Sequence, residues 1–490
     1  MPTRTYLLPL LLAGGGLSAC ATGPDYKPPV NSSPARFIGQ SAVEDRVAPG
    51  GAVNLVDWWR GFGDPVLIGL IERALSRNLD LQQALARVGQ ARASLRSANA
   101  ALLPSGEVKG QVAENEQSFR TPLGRVSNAF PGVSRESQLY ELDLGASWEL
   151  DVFGGLSRAR EAARDEWQAS VATSAGTRLA VAAQTADTYV TIRGLQARIA
   201  IARSQVDTQQ RLVDTVALQY RKGVAAELQL RQSEGALAQV QSSVPVLENA
   251  LDVAENALDV LMGDQPGTSR ATLAVEAPIP VAPAVSAAGG PAELLRRRPD
   301  IIAAERRLAA SNARIGEAIA EYYPKFSLSG LLGSATTSST GLFASAATQG
   351  TAAVGLRWRL FDFGRIDAEI KAARGRNAEA LAAYRLTVLR ASEDVEDAFS
   401  ALVKREAQER TLATGETSLA RARDASLAAY KGGVVSLIEV LDADKQLLAT
   451  RDARAQAKTE AARAAIASFR SLGGGWNNGE SASSEHSAGM

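Results

Sequence analysis

Between Pro104 and Gly154 apolar and polar side chains alternate with a period of two. Tyr140, Leu142, Leu144, Ala146, Trp148 and Leu150 interleave with Glu141, Asp143, Gly145, Ser147 and Glu149. Val108, Gly110 and Val112 interleave with Glu107, Lys109 and Gln111. This predicts two strands, each with one apolar and one charged face, joined by the polar stretch 118–137. On both sides the period is helical. Leu67, Leu70, Ile71, Ala74 and Leu75 share a face of a helix from Val66 to about Leu103, interrupted at Asn78 and stopped by Pro104. From Gly155 to Arg221 there is no proline, and alanine, arginine, glutamine and leucine dominate, residues that lose little rotamer freedom in a helix. One helix over this stretch would be roughly 100 Å long, which calls for a coiled-coil rod or a helical conduit. A tight turn at Arg221-Lys222-Gly223-Val224 leads into a return helix from about Ala226 to Met262.

The whole pattern then repeats. Trp148, Leu150, Phe153 and Gly154 reappear as Trp358, Leu360, Phe363 and Gly364, an offset of 210. Tyr220 and Val224 reappear at the same offset as Tyr430 and Val434. The preceding helices match at an offset of 220, Asp80 with Asp300 and Ala93 with Ala313, so a loop absorbs the ten-residue difference. Phe326, Leu328, Gly330 and Leu332, then Val354, Leu356, Trp358 and Leu360, supply the second strand pair. An internal repeat of this length decides the architecture before any local pattern does. It divides the chain into a leader (1–19), an N-terminal arm (20–56), a first repeat (57–262), a Pro/Ala/Gly linker (263–290), a second repeat (291–472) and a flexible tail (473–490).

Composition narrows the chemistry. The 53 basic residues balance 53 acidic ones, so no nucleic acid or polyanionic partner is indicated. One histidine, His486, and one cysteine leave no basis for a metal site, a cofactor or an acid–base catalyst, and an enzyme is not expected. Residues 1–20 read as an export signal: Arg4, the apolar run Leu7–Leu12, then Leu17-Ser18-Ala19-Cys20. Leu-Ser-Ala before the sole cysteine resembles a bacterial lipobox, which makes Cys20 the lipidation site, with Ala21 in the position that favours outer-membrane delivery. The other reading of Cys20 is a small core residue behind an ordinary signal peptide. No later stretch has the roughly 20 apolar residues of a spanning helix, so a membrane crossing has to be made by strands.

The alternating segments therefore have two readings. One is a soluble, half-buried hairpin. The other is a membrane β-barrel, apolar side chains toward lipid and charged ones toward a wet lumen. Export and the charged face favour the barrel. Four strands cannot close one, and open edges are not tolerated in lipid, so closure requires several copies of the chain.

Arranged in this order, the residues resemble the TolC-like outer membrane factor family, in its lipoprotein branch from tripartite efflux pumps. The carriers are Cys20 to Tyr26, Trp58-Trp59 with Phe62 to Pro65, Arg297-Arg298-Pro299-Asp300, Tyr323-Pro324, and Tyr430, Gly433 and Leu441-Asp442-Ala443. The resemblance implies a mostly α fold with a β-barrel: a trimeric α-helical barrel continuous with a twelve-stranded transmembrane barrel, four strands per protomer. It implies a passive duct in the outer membrane that exports small molecules, working with a periplasmic adaptor and an inner-membrane transporter of the RND type. It also implies a periplasmic gate, for which Glu439 and Asp442 match, and adaptor-contacting tips at Gly223, Val224, Gly433 and Val434. Without the resemblance, Glu439 and Asp442 are an acidic helix start favoured by the helix dipole. Two positions depart from the family: Gln229 stands at the first-repeat counterpart of Glu439, and Val435 where some members carry a gate-locking arginine. An outlet for one-step protein secretion and a periplasm-spanning structural lipoprotein are the competing readings.

Overall fold

The computed structural model describes residues 22–30, 34–46, 54–131, 134–285 and 290–477. Its helices are α1 (Gln40–Glu44), α2 (Pro65–Arg77), α3 (Leu79–Ala100), α4 (Pro122–Asn128), α5 (Gly155–Arg221), α6 (Glu227–Leu261), α7 (Arg270–Leu273), α8 (Gly290–Arg297), α9 (Pro299–Ala320), α10 (Arg365–Lys431) and α11 (Leu437–Ser471). Its strands are β1 (Ser105–Glu116), β2 (Glu136–Leu150), β3 (Lys325–Thr336) and β4 (Thr348–Arg357). Both α5 and α10 are 67 residues long, and both return helices, α6 and α11, are 35. The chain divides into two compact units, one taking residues up to Pro29, Gly89–Ala169 and Glu305–Ala383, the other the remainder.

The first unit holds the sheet. Its four strands are antiparallel in the order β1-β2-β3-β4, so β1 and β4 are its edges. Val108 lies opposite Leu144, Leu144 opposite Leu332, and Leu328 opposite Val354. The connection between β1 and β2, which the sequence marks only as polar, contains α4, started by Thr121 accepting from the Gly124 N–H at 3.1 Å. Beneath the sheet α5 and α9 meet through Ala162, Ala310 and Ala313, small side chains that let two helices approach closely.

The described N-terminus is pinned in the same unit. The Thr22 N–H and hydroxyl both donate to the Phe153 carbonyl, at 3.2 and 3.1 Å. Arg158 donates through Nε to the Thr22 carbonyl at 3.0 Å and pairs with Asp25 at 2.7 Å. Cys20 and the leader lie outside the described residues.

The second unit shows how each repeat turns its corners. Asp64 caps α2, accepting from the Val66 and Leu67 N–H groups at 2.9 and 3.2 Å ahead of Pro65, which suits a first helical position. Buried Asn78 separates α2 from α3: its side chain accepts from the Leu81 N–H at 3.0 Å and donates to the Leu261 carbonyl at the end of α6 at 2.9 Å. Arg298 stands at the matching corner of the second repeat and donates to the Ser471 carbonyl at the end of α11 at 3.2 Å. Its charge is paired with Asp300 at 2.7 Å and Asp394 at 2.8 Å. Burial opposes the Arg298 guanidinium, but the two carboxylates outweigh it and hold its pKa above the ordinary value.

The aromatic core lies in this unit too. Trp58 is wholly buried, stacked on Phe469 at 5.4 Å and edge-on to Trp59 at 5.6 Å. Residues 473–477 differ from the flexible tail that the sequence pattern predicts from Gly473. Gly473–Gly475 are buried, the Gly475 N–H donates to the Leu55 carbonyl at 2.7 Å, and Trp476 donates to the Arg297 carbonyl at 3.0 Å. Glycine is required because a Cβ at Gly474 would crowd Trp58 and the Leu55 carbonyl, while Gly473 and Gly475, the latter against Trp58 and Trp59, adopt positive φ. Residues 478–490 lie outside the described residues. The linker is likewise ordered where described, with Leu273, Ile279, Ala282 and Val285 buried and the Leu273 carbonyl held by Gln196 at 2.8 Å.

Candidate functional site

Two regions carry the candidate function, the sheet and the paired helix turns. On the sheet, apolar side chains lie exposed. Val108, Val112, Leu144, Leu332, Val354 and Leu356 are all more than half exposed, on a single face. On the opposite face Asp143 is only 7 % exposed, its carboxylate accepting from Gln349 Nε2 at 2.8 Å. The bond spans three strands because Gly333, between them, has no side chain; a Cβ there would strike Asp143. A soluble hairpin buries its apolar face; here that face is bare, which favours a surface built for lipid. Exposed aromatic residues gather where the strands end. Tyr322 and Tyr323 precede β3, and Trp358, Phe361 and Phe363 follow β4. Trp148 donates to the Leu102 carbonyl at 2.9 Å and Trp358 to the Tyr322 carbonyl at 3.0 Å. Such rings, apolar in body and polar at one tip, are those that settle at a membrane–water boundary.

The helix turns are built twice on one plan. Gly223 and Gly433 both adopt φ of +75°, the left-handed conformation that ends a helix without steric penalty. The Gly223 N–H donates to the Tyr220 carbonyl at 2.9 Å and the Val224 N–H to the Gln219 carbonyl at 2.9 Å. Gly433 and Val434 make the equivalent bonds to Tyr430 and Ala429 at 3.0 and 2.9 Å. Val224 and Val434 are then presented outward, 77 % and 79 % exposed. Just behind the turns Leu212, Val216, Leu230, Leu437 and Val440 form one cluster, so α5, α6 and α11 share a core there, with Leu427 and Tyr430 of α10 against it. The Tyr430 hydroxyl donates to Gln219 Oε1 at 2.8 Å, and burial raises the tyrosine pKa, which keeps that proton in place.

Glu439 and Asp442 occupy the first turns of α11 on its exposed side. Asp442 accepts from Gln446 at 2.6 Å, and Glu439 makes no ion pair among the described residues. Ser436 and Glu439 have capping-box spacing, but the Ser436 side chain makes no cap bond, leaving both acids turned outward. In the first repeat the equivalent Gln229 does act as a cap, accepting from the Ala226 N–H at 3.1 Å.

Sequence reasoning missed the pair that sets the position of these acids. Asp444, 3 % exposed, accepts from Arg423 Nε at 2.9 Å and ties α11 to α10. Burial disfavours the Arg423 charge, yet Asp444 and Asp424 together outweigh it and the pKa stands above its ordinary value. The two residues are 21 positions apart on different helices, a separation no periodicity reveals. Asp442 and Asp444 also line a cleft of about 570 Å³ bordered by Gln205 and Gln209 of α5.

Lipid-facing strands carried on long helical hairpins define an outer membrane channel. The sequence relationships agree: the family profile described as outer membrane efflux protein matches residues 70–264 and 290–474, one match per repeat. The chain belongs to the outer membrane efflux protein family, and it acts in efflux at the outer membrane. It is 32% identical, over 484 residues, to the pyoverdine export outer membrane protein OpmQ of Pseudomonas putida, covering 97% of this chain and 98% of the relative. The solved outer-membrane channel OprN superposes with a TM-score of 0.84 at 33% identity, covering 93% of this chain and 100% of that one. The open state of the Neisseria gonorrhoeae MtrE outer membrane channel superposes with a TM-score of 0.80 at 25% identity, covering 94% and 99%. Among the described residues no helix is long and apolar enough to cross a membrane.

Proposed function

We propose that three copies of the chain close a twelve-stranded barrel and extend it as a helical duct into the periplasm, a passive tunnel for small molecules with no catalysis of its own. The observation that carries this reading is the sheet, whose apolar face is bare and whose edge strands β1 and β4 have no partner strand among the described residues. In lipid each unpaired N–H or C=O is costly by several kcal/mol, so the edges must be closed, and further copies are the economical source of strands. Cys20 is acylated in this reading; Thr22, two residues on, is held beside the end of β2, where an acyl chain would reach the bilayer.

At the other end of the long helices, Gly223, Val224, Gly433 and Val434 are the tips that meet a periplasmic adaptor, itself joined to an inner-membrane pump of the RND type. Glu439 and Asp442, three residues apart on one face, place six carboxylates around a threefold constriction, an arrangement that attracts cations and resists anion leakage. The pyoverdine export role of the similar OpmQ fits a small-molecule cargo. The purified protein, added to a planar lipid bilayer, is expected to give cation-selective steps of conductance; a preparation that never conducts overturns the duct.

A further inference from the structure

The two repeats are near copies, and one place where they differ lies in the first unit. Adding 210 to an α5 position gives its image on α10, and adding 220 to an α3 position gives its image on α9. Arg160 maps onto Ile370, and Leu95 and Asn99 map onto Ile315 and Ile319. Ile315 and Ile370 are buried, so the second repeat fills these positions with covered apolar side chains. The first repeat has an exposed guanidinium and an exposed amide instead. Between α3 and α5 a cleft of about 510 Å³ stays open, bordered by Leu95, Asn99, Arg160 and Arg164.

The cleft holds cations that the chain does not neutralise. Arg160 and Arg164 are exposed and make no ion pair or hydrogen bond among the described residues. They stand four apart on one face of α5, a spacing at which like charges repel. The acids that border the cleft, Asp25 and Glu161, are both engaged by Arg158, each at 2.7 Å. Asp165, beside Arg164 in sequence, lies 3.9 Å from Arg306. On α3, Arg92 and Arg96 each precede a lining residue by three positions, and no acid occurs from Leu81 to the end of the helix.

Two measures put this cleft beside lipid headgroups. In the channel reading β2 leaves the hydrocarbon near Trp148, and α5 begins at Gly155. Arg160 and Arg164 lie about 7 and 13 Å along the helix from that point, while a headgroup layer is roughly 5–8 Å deep. Helical side chains lean toward the N-terminus of their helix, here toward the strands, and arginine carries its charge far beyond its Cβ. The second measure is the arm. The Thr22 carbonyl accepts from Arg158 Nε at 3.0 Å, and residue 20, acylated in that reading, is at most about 7 Å further on. Leu103, four residues beyond Asn99, is exposed and apolar, as an acyl chain leaving the cleft toward the sheet requires.

We propose that the cleft binds the phosphodiester headgroup of a membrane phospholipid, held by Arg160 and Arg164, with its acyl chains toward the sheet. A guanidinium presents two parallel N–H donors to phosphate oxygens, and a pair of them suits an anionic lipid. The site rests on the channel reading above and adds to it one fixed lipid per chain.

Native mass spectrometry of the full-length protein in detergent tests the site, with dioleoyl phosphatidylglycerol as the probe. Arg160→Gln with Arg164→Gln should weaken binding of this lipid about twentyfold, roughly fivefold for each arginine near an anionic headgroup. Arg160→Ile, which installs the second repeat's residue, should weaken it about fivefold. Arg410→Gln with Arg421→Gln, exposed cations of α10 in the other unit, should leave it unchanged. Dioleoylglycerol, with the same chains and no phosphate, should bind parent and variants alike. Equal binding of phosphatidylglycerol by the parent and the double glutamine variant overturns the site. Displacement of the lipid by inorganic phosphate at equal concentration also overturns it, because the arginines would then hold a free anion. An unsubstituted chain that fails to associate with phospholipid vesicles overturns the channel reading instead.

Discussion

Replacing Arg423 with alanine is the most informative perturbation of the tips. It leaves Asp444, 3 % exposed, as a buried carboxylate whose partner at 2.9 Å is gone. Removing one member of a buried pair typically destabilises by about 3–5 kcal/mol. The Arg423 side chain is 22% exposed, so water reaches part of the site, and the lower end, about 3 kcal/mol, applies. That corresponds to roughly a hundredfold increase in local opening. Hydrogen exchange of the slowest amides between Leu437 and Leu447, measured on the intact oligomer, reads it directly. Arg203→Ala serves as the control: its pair with Glu248 is 2.7 Å long but 61% and 44% exposed, and should change exchange by no more than about threefold. Arg423→Ala with Asp444→Ala removes the stranded charge and should recover much of the lost protection. If Arg423→Ala exchanges no faster than Arg203→Ala, the pair does not hold α11 in place, and the argument that it positions Glu439 and Asp442 fails.

Glu439→Ala combined with Asp442→Ala should raise single-channel conductance or alter block by divalent cations in a planar bilayer; unchanged currents make these residues an ordinary solvated helix start. Cys20→Ser should remove the acyl mass from the N-terminal peptide, and an acylated variant would defeat the lipobox assignment. Asp165 provides a pH test. Burial pushes its carboxyl up to about 6 from 3.8, so the folded chain keeps a proton that the unfolded chain has lost across that window. Above it the ionised form is penalised in the fold. Asp165→Asn should therefore raise the midpoint of thermal unfolding at pH 7.5 and leave it nearly unchanged at pH 4. An equal shift at both values rules out the buried charge as its cause.

The elements themselves were readable in the chain. The absence of proline between Gly155 and Arg221 predicts the first long helix to the residue, and the 210-residue offset carries the prediction to the second. Alternation around Val108, Leu144, Leu328 and Val354 predicts all four strands, because period two is a purely local property. Which face is covered is not local: the same alternation fits a soluble hairpin, and only the exposure of the valines and leucines separates the two. The corner residues Asn78 and Arg298 reach carbonyls some 180 positions away, and Arg423 reaches Asp444 across a turn, so neither could be anticipated from spacing. The glycines at 473–475 misled for a related reason. Three glycines in a row suggest flexibility, and here they are what lets the chain pass over Trp58 and Trp59.

The central claim is that one chain contributes a third of a closed barrel. Native mass spectrometry of the detergent-extracted protein tests it most directly, against a chain mass of 51.5 kDa before processing. The account predicts a single species of three copies that persists on dilution. A monomer that is stable and soluble once detergent is withdrawn would contradict it.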